Sequence, residues 1–162
     1  MRLNITGLTP QGEGIARVDN KVVFIPCVLP GETVEAEIIS EKARYSRGRI
    51  KNIIEAVPER IEPQCPYFFE CGGCQYQHVN YKTELVYKVR AVQETLARIA
   101  HIGANNLTIE GDKQPWHYRN KATWHLKAGR YGKLELGFYR AASQSIVPVT
   151  SCILLNEKIN EV

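Results

Sequence analysis

Three of the chain's five cysteines fall within one short stretch, CPYFFECGGC at residues 65–74, and no other feature constrains the fold as much. Five residues separate Cys65 from Cys71, and two glycines separate Cys71 from Cys74. A two-residue gap lets both sulfurs converge on one metal centre. Gly72 and Gly73 remove side-chain bulk, so backbone N–H groups can turn towards the sulfurs and stabilise thiolate charge. Three ligands leave a cluster or a tetrahedral ion one short, and Cys152 and Cys27 are the candidates for the fourth place. Structural zinc usually takes two paired knuckles, or one knuckle with a histidine pair. A three-plus-one set favours an iron–sulfur cube, whose four irons are reached at separate corners; zinc, or a set of unmetallated thiols, stays open at this point. His78 lies close by in sequence and reads as a local hydrogen-bonding residue near a helix start. Cys27, in FIPCVLPGE, reads as a small buried apolar residue.

The N-terminus, MRLNITGLTPQGEG, has no apolar core of a signal peptide, and no apolar run approaches the roughly 18 residues a membrane span requires. These features, with an odd cysteine count, predict a cytoplasmic protein with reduced thiols and no membrane partner. A net charge of +4 favours an acidic partner without requiring one.

Residues 1–57 are predicted to be all-β. LNITGL, GIARVD, KVVFI, TVEAEII and RYSRGRIKNII are rich in β-branched residues and are broken by PQGEG, Asp19-Asn20, Pro26 and LPGE. Five short strands in so few residues suit a small OB-like barrel. On the last strand Tyr45, Arg47, Arg49 and Lys51 share one parity and hence one face. Lys42 and Arg44 flank them, and residues 42–51 contain no acid. One aromatic among aligned cations points to nucleic-acid contact rather than to a charged sheet edge.

A proline-rich linker, VPERIEPQCP, leads into residues 58–162, predicted to be an α+β domain with a long helix and an antiparallel sheet. The helix is expected over 81–102, with Asn80 as its cap, Glu84 near its first turn and Gly103 as its stop. Leu85, Val89, Val92, Leu96 and Ile99 form an apolar stripe along it. In YRNKATWHLK the period returns to two. Tyr118, Asn120, Ala122, Trp124 and Leu126 share one face, and Arg119, Lys121, Thr123, His125 and Lys127 the other. Gly129 to Gly132 predicts a hairpin turn, and LELGFYR then places Leu134, Leu136 and Phe138 inward. SIVPVTSCILL supplies a third strand, which Pro148 assigns to an edge or an irregularity.

Taken in order, these segments resemble the RNA (uracil-5-)-methyltransferase family, in its ribosomal-RNA branch that carries an iron–sulfur cluster. GLTPQGEGIARVDNKVVFIPCVLPGETVEAEI is similar to the TRAM domain, the OB-like RNA-binding barrel of that family. CPYFFECGGCQYQHVNYKTELVYK resembles its cluster segment and following helix, and PWHYRNKATWH with LGFYRAASQSIVPVTSCILL resembles its central strands. The resemblance implies a [4Fe–4S] cluster on Cys65, Cys71, Cys74 and Cys152, and leaves Cys27 out. It implies RNA contact through Tyr45, Arg47, Arg49 and Lys51 on the barrel and through Arg119, Lys121, His125 and Lys127 in the second domain, the RNA being ribosomal.

Members of the family methylate carbon 5 of uracil. A cysteine thiolate adds to carbon 6, carbon 5 takes the methyl group from S-adenosylmethionine, and a base removes the carbon-5 proton. That machinery lies in a C-terminal Rossmann-like domain, of which this sequence shows no sign. Gly12 and Gly14 do not complete a G-x-G-x-x-G turn, and no catalytic residue is assigned. The expectation is therefore the RNA-recognition half of a methyltransferase, inactive alone. The stripe Leu85–Ile99 would then lack cover and expose apolar surface or mediate self-association. A stand-alone RNA-binding iron–sulfur or zinc protein is the alternative. An electron carrier fits poorly, since small ferredoxins space their cysteines more tightly and are usually acidic.

Overall fold

A computed structural model describes residues 1–129 and 133–161. They form two compact units, residues 1–62 with 75–109 and residues 63–74 with 110–162. This division differs from the expected break at residue 57: the helix groups with the barrel, and the cysteine segment groups with the C-terminal sheet.

The first unit is built on a six-stranded sheet, ordered β1-β5-β6-β4-β3-β2. Its strands are β1 (Arg2–Asn4), β2 (Gly7–Leu8), β3 (Gly14–Val18), β4 (Lys21–Ile25), β5 (Thr33–Glu41) and β6 (Tyr45–Glu55). The segment read as one first strand is broken at Ile5-Thr6. Its front half, β1, pairs with β5, and its back half, β2, pairs with β3. The two sheet edges are thus consecutive pieces of one segment, which closes the sheet into the expected barrel and removes free edges. Asp19 and Asn20 both adopt positive φ, 47° and 64°, the turn that a two-residue hairpin between β3 and β4 requires. Leu3, Ile5, Ala16, Val23, Ile25, Val28, Val34 and Ala36 fill the interior. At Gly14 a Cβ would come within 2.2 Å of a Val28 methyl group, so this wall admits only glycine.

A buried ion pair closes the lower end of this unit. Glu32 is 0% exposed. Its carboxylate accepts from Arg60 Nε and, at 2.8 Å, from Arg60 Nη2, while the Leu29 N–H donates to it at 2.8 Å. Arg60 also donates to the Cys27 carbonyl at 3.0 Å. Arg60 then bridges to Val79, and the Ile61 and Asn80 N–H groups donate to the carbonyls of His78 and Glu59. His78 is buried beside this pair. Burial first, and the Arg60 charge second, lower its pKa to about 4, against opposing effects of the Val28 backbone and Glu32.

The helix α1 (Tyr81–Thr95) starts as expected: the Asn80 side chain accepts from the Thr83 N–H at 2.9 Å, and Glu84 lies in the first turn. It does not run unbroken to residue 102. A wider π-helical turn occupies Leu96–Ala100, and His101, at φ 56°, ends the helix two residues before Gly103. Histidine is among the few non-glycine residues that enter this left-handed region readily. No described residue of α1 is buried. Leu85, Val89 and Leu96 are half-buried, and Val92 and Ile99 are exposed, so the stripe does present apolar surface. Among the described residues no helix is long and apolar enough to cross a membrane.

The second unit carries a three-stranded antiparallel sheet of β7 (His125–Ala128), β8 (Leu134–Tyr139) and β9 (Ile146–Pro148). Pro148 lies on an edge strand, as its missing N–H demands. The strand expected from Tyr118 is much shorter. His117 turns to φ 58°, and residues 117–119 bond instead to 153–156, with Arg119 bridged to Leu155. Trp124 stacks on Phe138 at 4.5 Å, and Val147 is buried on the same side. Leu134 and Leu136 are not inward. Leu134 is 72% exposed, and Leu136 and its cross-strand partner Leu126 are exposed too, because cover on this face ends at Phe138. Residues 130–132 of the expected hairpin turn lie outside the described residues.

Two outcomes follow for the first unit. Arg60→Ala leaves Glu32 buried and unpaired, and should cost about 3–5 kcal/mol in urea denaturation; a loss under about 1 kcal/mol would contradict this role. His78 has a folded pKa below its unfolded value, so the unfolded chain takes up the proton first as pH falls. Stability should therefore drop by about 2 kcal/mol from pH 7 to pH 5, and His78→Leu should flatten that slope.

Candidate metal centre and nucleic-acid surfaces

All four cysteines expected to hold a cluster lie in the second unit, while Cys27 lies in the first. None of the five forms a disulfide. One tie joins the 65–74 segment to the neighbourhood of Cys152, and a second joins it to Arg140 just after β8. The Tyr67 and Thr150 hydroxyls are 3.0 Å apart, and each of these residues is two positions from a cysteine. Cys71 forms an antiparallel bridge with Arg140, whose guanidinium pairs with Glu70 at 2.7 Å. Beyond β9 the turn at Cys152 is held by Asn160. The Cys152 N–H donates to Asn160 Oδ1 at 2.9 Å, and Asn160 Nδ2 donates to the Cys152 carbonyl at 3.1 Å.

The electrostatics show the same proximity. Burial pushes the Cys65 thiol up, the Tyr67 backbone N–H pulls it down, and Cys152 and Cys71 push it further up. Arg119 is held more firmly protonated, first by its bond to Tyr118, and also by Cys74 and Cys152. Cys65 thus lies within electrostatic reach of Cys71 and Cys152, and Arg119 within reach of Cys74 and Cys152. Among the described residues no three His, Cys, Asp or Glu side chains gather tightly enough to hold a single metal ion.

Each glycine of the pair has its own function. The Gly73 N–H donates to Cys71 Sγ at 3.4 Å, the contact its small size permits. The Gly72 N–H donates to the Tyr139 carbonyl at 2.9 Å, and a Cβ there would come 3.0 Å from Ala141 Cα and 3.1 Å from two further backbone atoms. His78 belongs to the first unit and has no part in this set. Cys27 is only half-buried and adopts φ 62°, a less ordinary position than a small apolar filler would occupy.

The two groups of basic residues differ in their partners. On β6, Tyr45, Arg47, Arg49 and Lys51 are all exposed on one face, as alternation requires. The cations there are not unopposed. Arg47 pairs with Glu13, Arg49 with Glu37, and Lys51 with Glu37 at 3.3 Å. These acids come from β5 and from the turn before β3, which is why the acid-free run 42–51 gave no hint of them. In the second unit Lys121 and Lys127 are exposed, and among the described residues no ion pair engages either. Tyr118 is exposed, with the Arg119 guanidinium 5.9 Å from its ring centre. His125 stacks on Tyr139 at 3.8 Å, an aromatic partner that the sequence reading did not select.

Residues 1–51 match the TRAM domain. Over its full length the chain is 42% identical to an uncharacterized RNA methyltransferase of Halalkalibacterium halodurans and covers 35% of that protein. It is 35% identical to the 23S rRNA (uracil(1939)-C(5))-methyltransferase RlmD of Shewanella piezotolerans, over 99% of this chain and 36% of the relative. Among solved structures it is similar in fold to a Pyrococcus abyssi tRNA (uracil-54, C5)-methyltransferase in complex with S-adenosyl-L-homocysteine. The TM-score is 0.62 at 18% identity, over 98% of this chain and 34% of that one. The chain thus spans 35–36% of the length of these curated relatives. The resemblance read from the sequence is borne out.

The glycine contacts give a graded expectation. Gly72→Ala must displace backbone and should lower stability by about 1–3 kcal/mol, whereas Gly73→Ala meets only a sulfur at ordinary contact distance and should cost less. Thermal denaturation of both variants compares them; equal costs would contradict the tight fit at Gly72.

Proposed function

We propose, from its similarity to RNA methyltransferases over the third of those proteins that it spans, that the chain is the RNA-recognition part of an S-adenosylmethionine-dependent 23S rRNA (uracil-5-)-methyltransferase. The TRAM barrel and the second unit bind folded RNA, and Cys65, Cys71, Cys74 and Cys152 hold a [4Fe–4S] cluster. The chain alone transfers no methyl group. The observation that carries this reading is the gathering of these four cysteines, and not Cys27, into one compact unit in which Cys65 feels the charge of both Cys71 and Cys152.

The donor set fits such a cluster. All four ligands are thiols, one accepts a backbone N–H, and a guanidinium stands near two of them to offset thiolate charge. Bound there, the cluster supplies four Cys–Fe bonds as a cross-link. The protein's own residues do the rest: Tyr67 and Thr150 align the two cysteine segments, Gly72 seats the loop on the β8 end, and Arg119 balances charge. S-adenosylmethionine belongs to the methyl-transfer domain of the family.

Anaerobic reconstitution with iron and sulfide, followed by metal and sulfide assay, tests the reading. About four irons per chain are expected, and Cys74→Ser should lower iron content, while Cys27→Ser should not. Closing a loop of about 80 residues should contribute on the order of 4 kcal/mol, so Cys74→Ser should also lower stability and RNA affinity together. RNA affinity should fall steeply with salt, since Lys and Arg displace condensed counterions. A zinc-loaded chain that takes up no iron would replace the cluster with the zinc alternative.

A further inference from the structure

Resting on the reading of this chain as an RNA binder, we infer that Tyr139, stacked on His125 beside Lys127, is a binding platform for an unpaired RNA base. Strand register places the three on one face. His125 is opposite Gly137 and Lys127 opposite Glu135, so Tyr139, two residues beyond Gly137 on β8, shares their side of the sheet. The His125 imidazole lies 3.8 Å from the Tyr139 phenol ring at an interplanar angle of 26°.

This stack differs in kind from the other one on the same strands. Trp124 and Phe138 stack on the opposite side, next to buried Val147, and serve the core. Tyr139 instead remains 43% exposed although one ring face is covered by His125. That exposure leaves ring surface that a nucleobase can use. An exposed aromatic on a sheet with a cation alongside is how single-stranded RNA is commonly held: the ring takes the base and the cation takes the phosphate.

Charge pairing favours this face over β6. The β6 cations each have a carboxylate partner, and a phosphate must displace it. Lys127 has no ion pair among the described residues, even with Glu135 opposite. The Glu135 carboxylate lies towards Gly129, where an added Cβ would meet it at 2.9 Å. The platform is also fixed to the cysteine loop, because the Tyr139 carbonyl accepts from the Gly72 N–H. Base contact and cysteine centre thus share one backbone anchor within the second unit.

Fluorescence anisotropy with the full chain tests this, using a single-stranded oligouridine and a duplex of equal length as probes. The chain should prefer the single strand. Tyr139→Leu, which keeps bulk and strand propensity but loses the flat ring, should weaken single-strand binding roughly 10-fold and duplex binding little. Tyr139→Phe should stay within about 2-fold of the unaltered chain. Lys127→Gln should reduce the salt slope by about one ion. The inference falls if Tyr139→Leu binds the single strand normally while Arg47→Gln and Arg49→Gln lose affinity, and equally if Tyr139→Phe is as weak as Tyr139→Leu. Failure of the unaltered chain to bind either probe would instead overturn the parent reading, and this inference with it.

Discussion

The pair formed by Glu32 and Arg60 is the interaction on which the rest of the structure depends. A carboxylate that is fully buried has to be matched by a cation and by N–H donors, or it would not remain charged there. Arg60 and the Leu29 N–H supply that match. In doing so they fix residues 57–61 against the barrel, and these residues then fix 78–80 through the Arg60–Val79 bridge. The cap of α1 follows directly from there. Residues 63–74, which lie between these two stretches in the chain, belong to the second unit.

The second unit has a thinner core. Its described buried apolar residues are few, Phe68, Val147, Val149, Leu154 and Leu155, and leucines on one face of its sheet remain in solvent. Small units of this kind rarely hold a fixed shape by hydrophobic burial alone and take staples from disulfides or metals. Its four cysteines are free thiols, and the cluster proposed above would be such a staple. The hydroxyl contact between Tyr67 and Thr150, and the close seating of Gly72 on residues 139 and 141, hold these segments of the unit together.

What was legible in the sequence were features that local physics decides. Asp19-Asn20 announces its hairpin, Asn80 its cap and Pro148 its edge, because each depends on backbone conformation or a single hydrogen bond. The cysteine spacing is a local feature of the same kind, and Cys152 lies in the same unit as Cys65, Cys71 and Cys74. What escaped was set by partners distant in sequence. The neutralising acids Glu13 and Glu37 lie on other segments than the cations they meet. Leu134 and Leu136 alternate as core residues do, yet alternation says only which side they face and not whether anything covers it. Tyr139 gave no signal because its role depends on cross-strand register with His125. The split of the first strand between two neighbours likewise appears only when the sheet closes.

Ion pairing on the barrel, and its absence at Lys121 and Lys127 among the described residues, would suit the two sets of cations to different contributions in RNA binding. Exposed pairs such as Arg47 with Glu13 are worth at most about 1 kcal/mol, so a phosphate can displace the carboxylate. The exchange gains little, however, because one anion replaces another and fewer counterions are released. Cations of this kind suit orientation: the carboxylates hold their guanidinium groups in set positions before any polyanion arrives. Unpaired lysines lose condensed ions' cost directly and so supply attraction. An aromatic stack beside one of them adds what charge cannot, discrimination between a base that is paired within a helix and one that is free to stack. Phosphate contacts position and base contacts specify, and on the inference drawn above Lys127 and Tyr139 would bring both tasks to one face of the second unit.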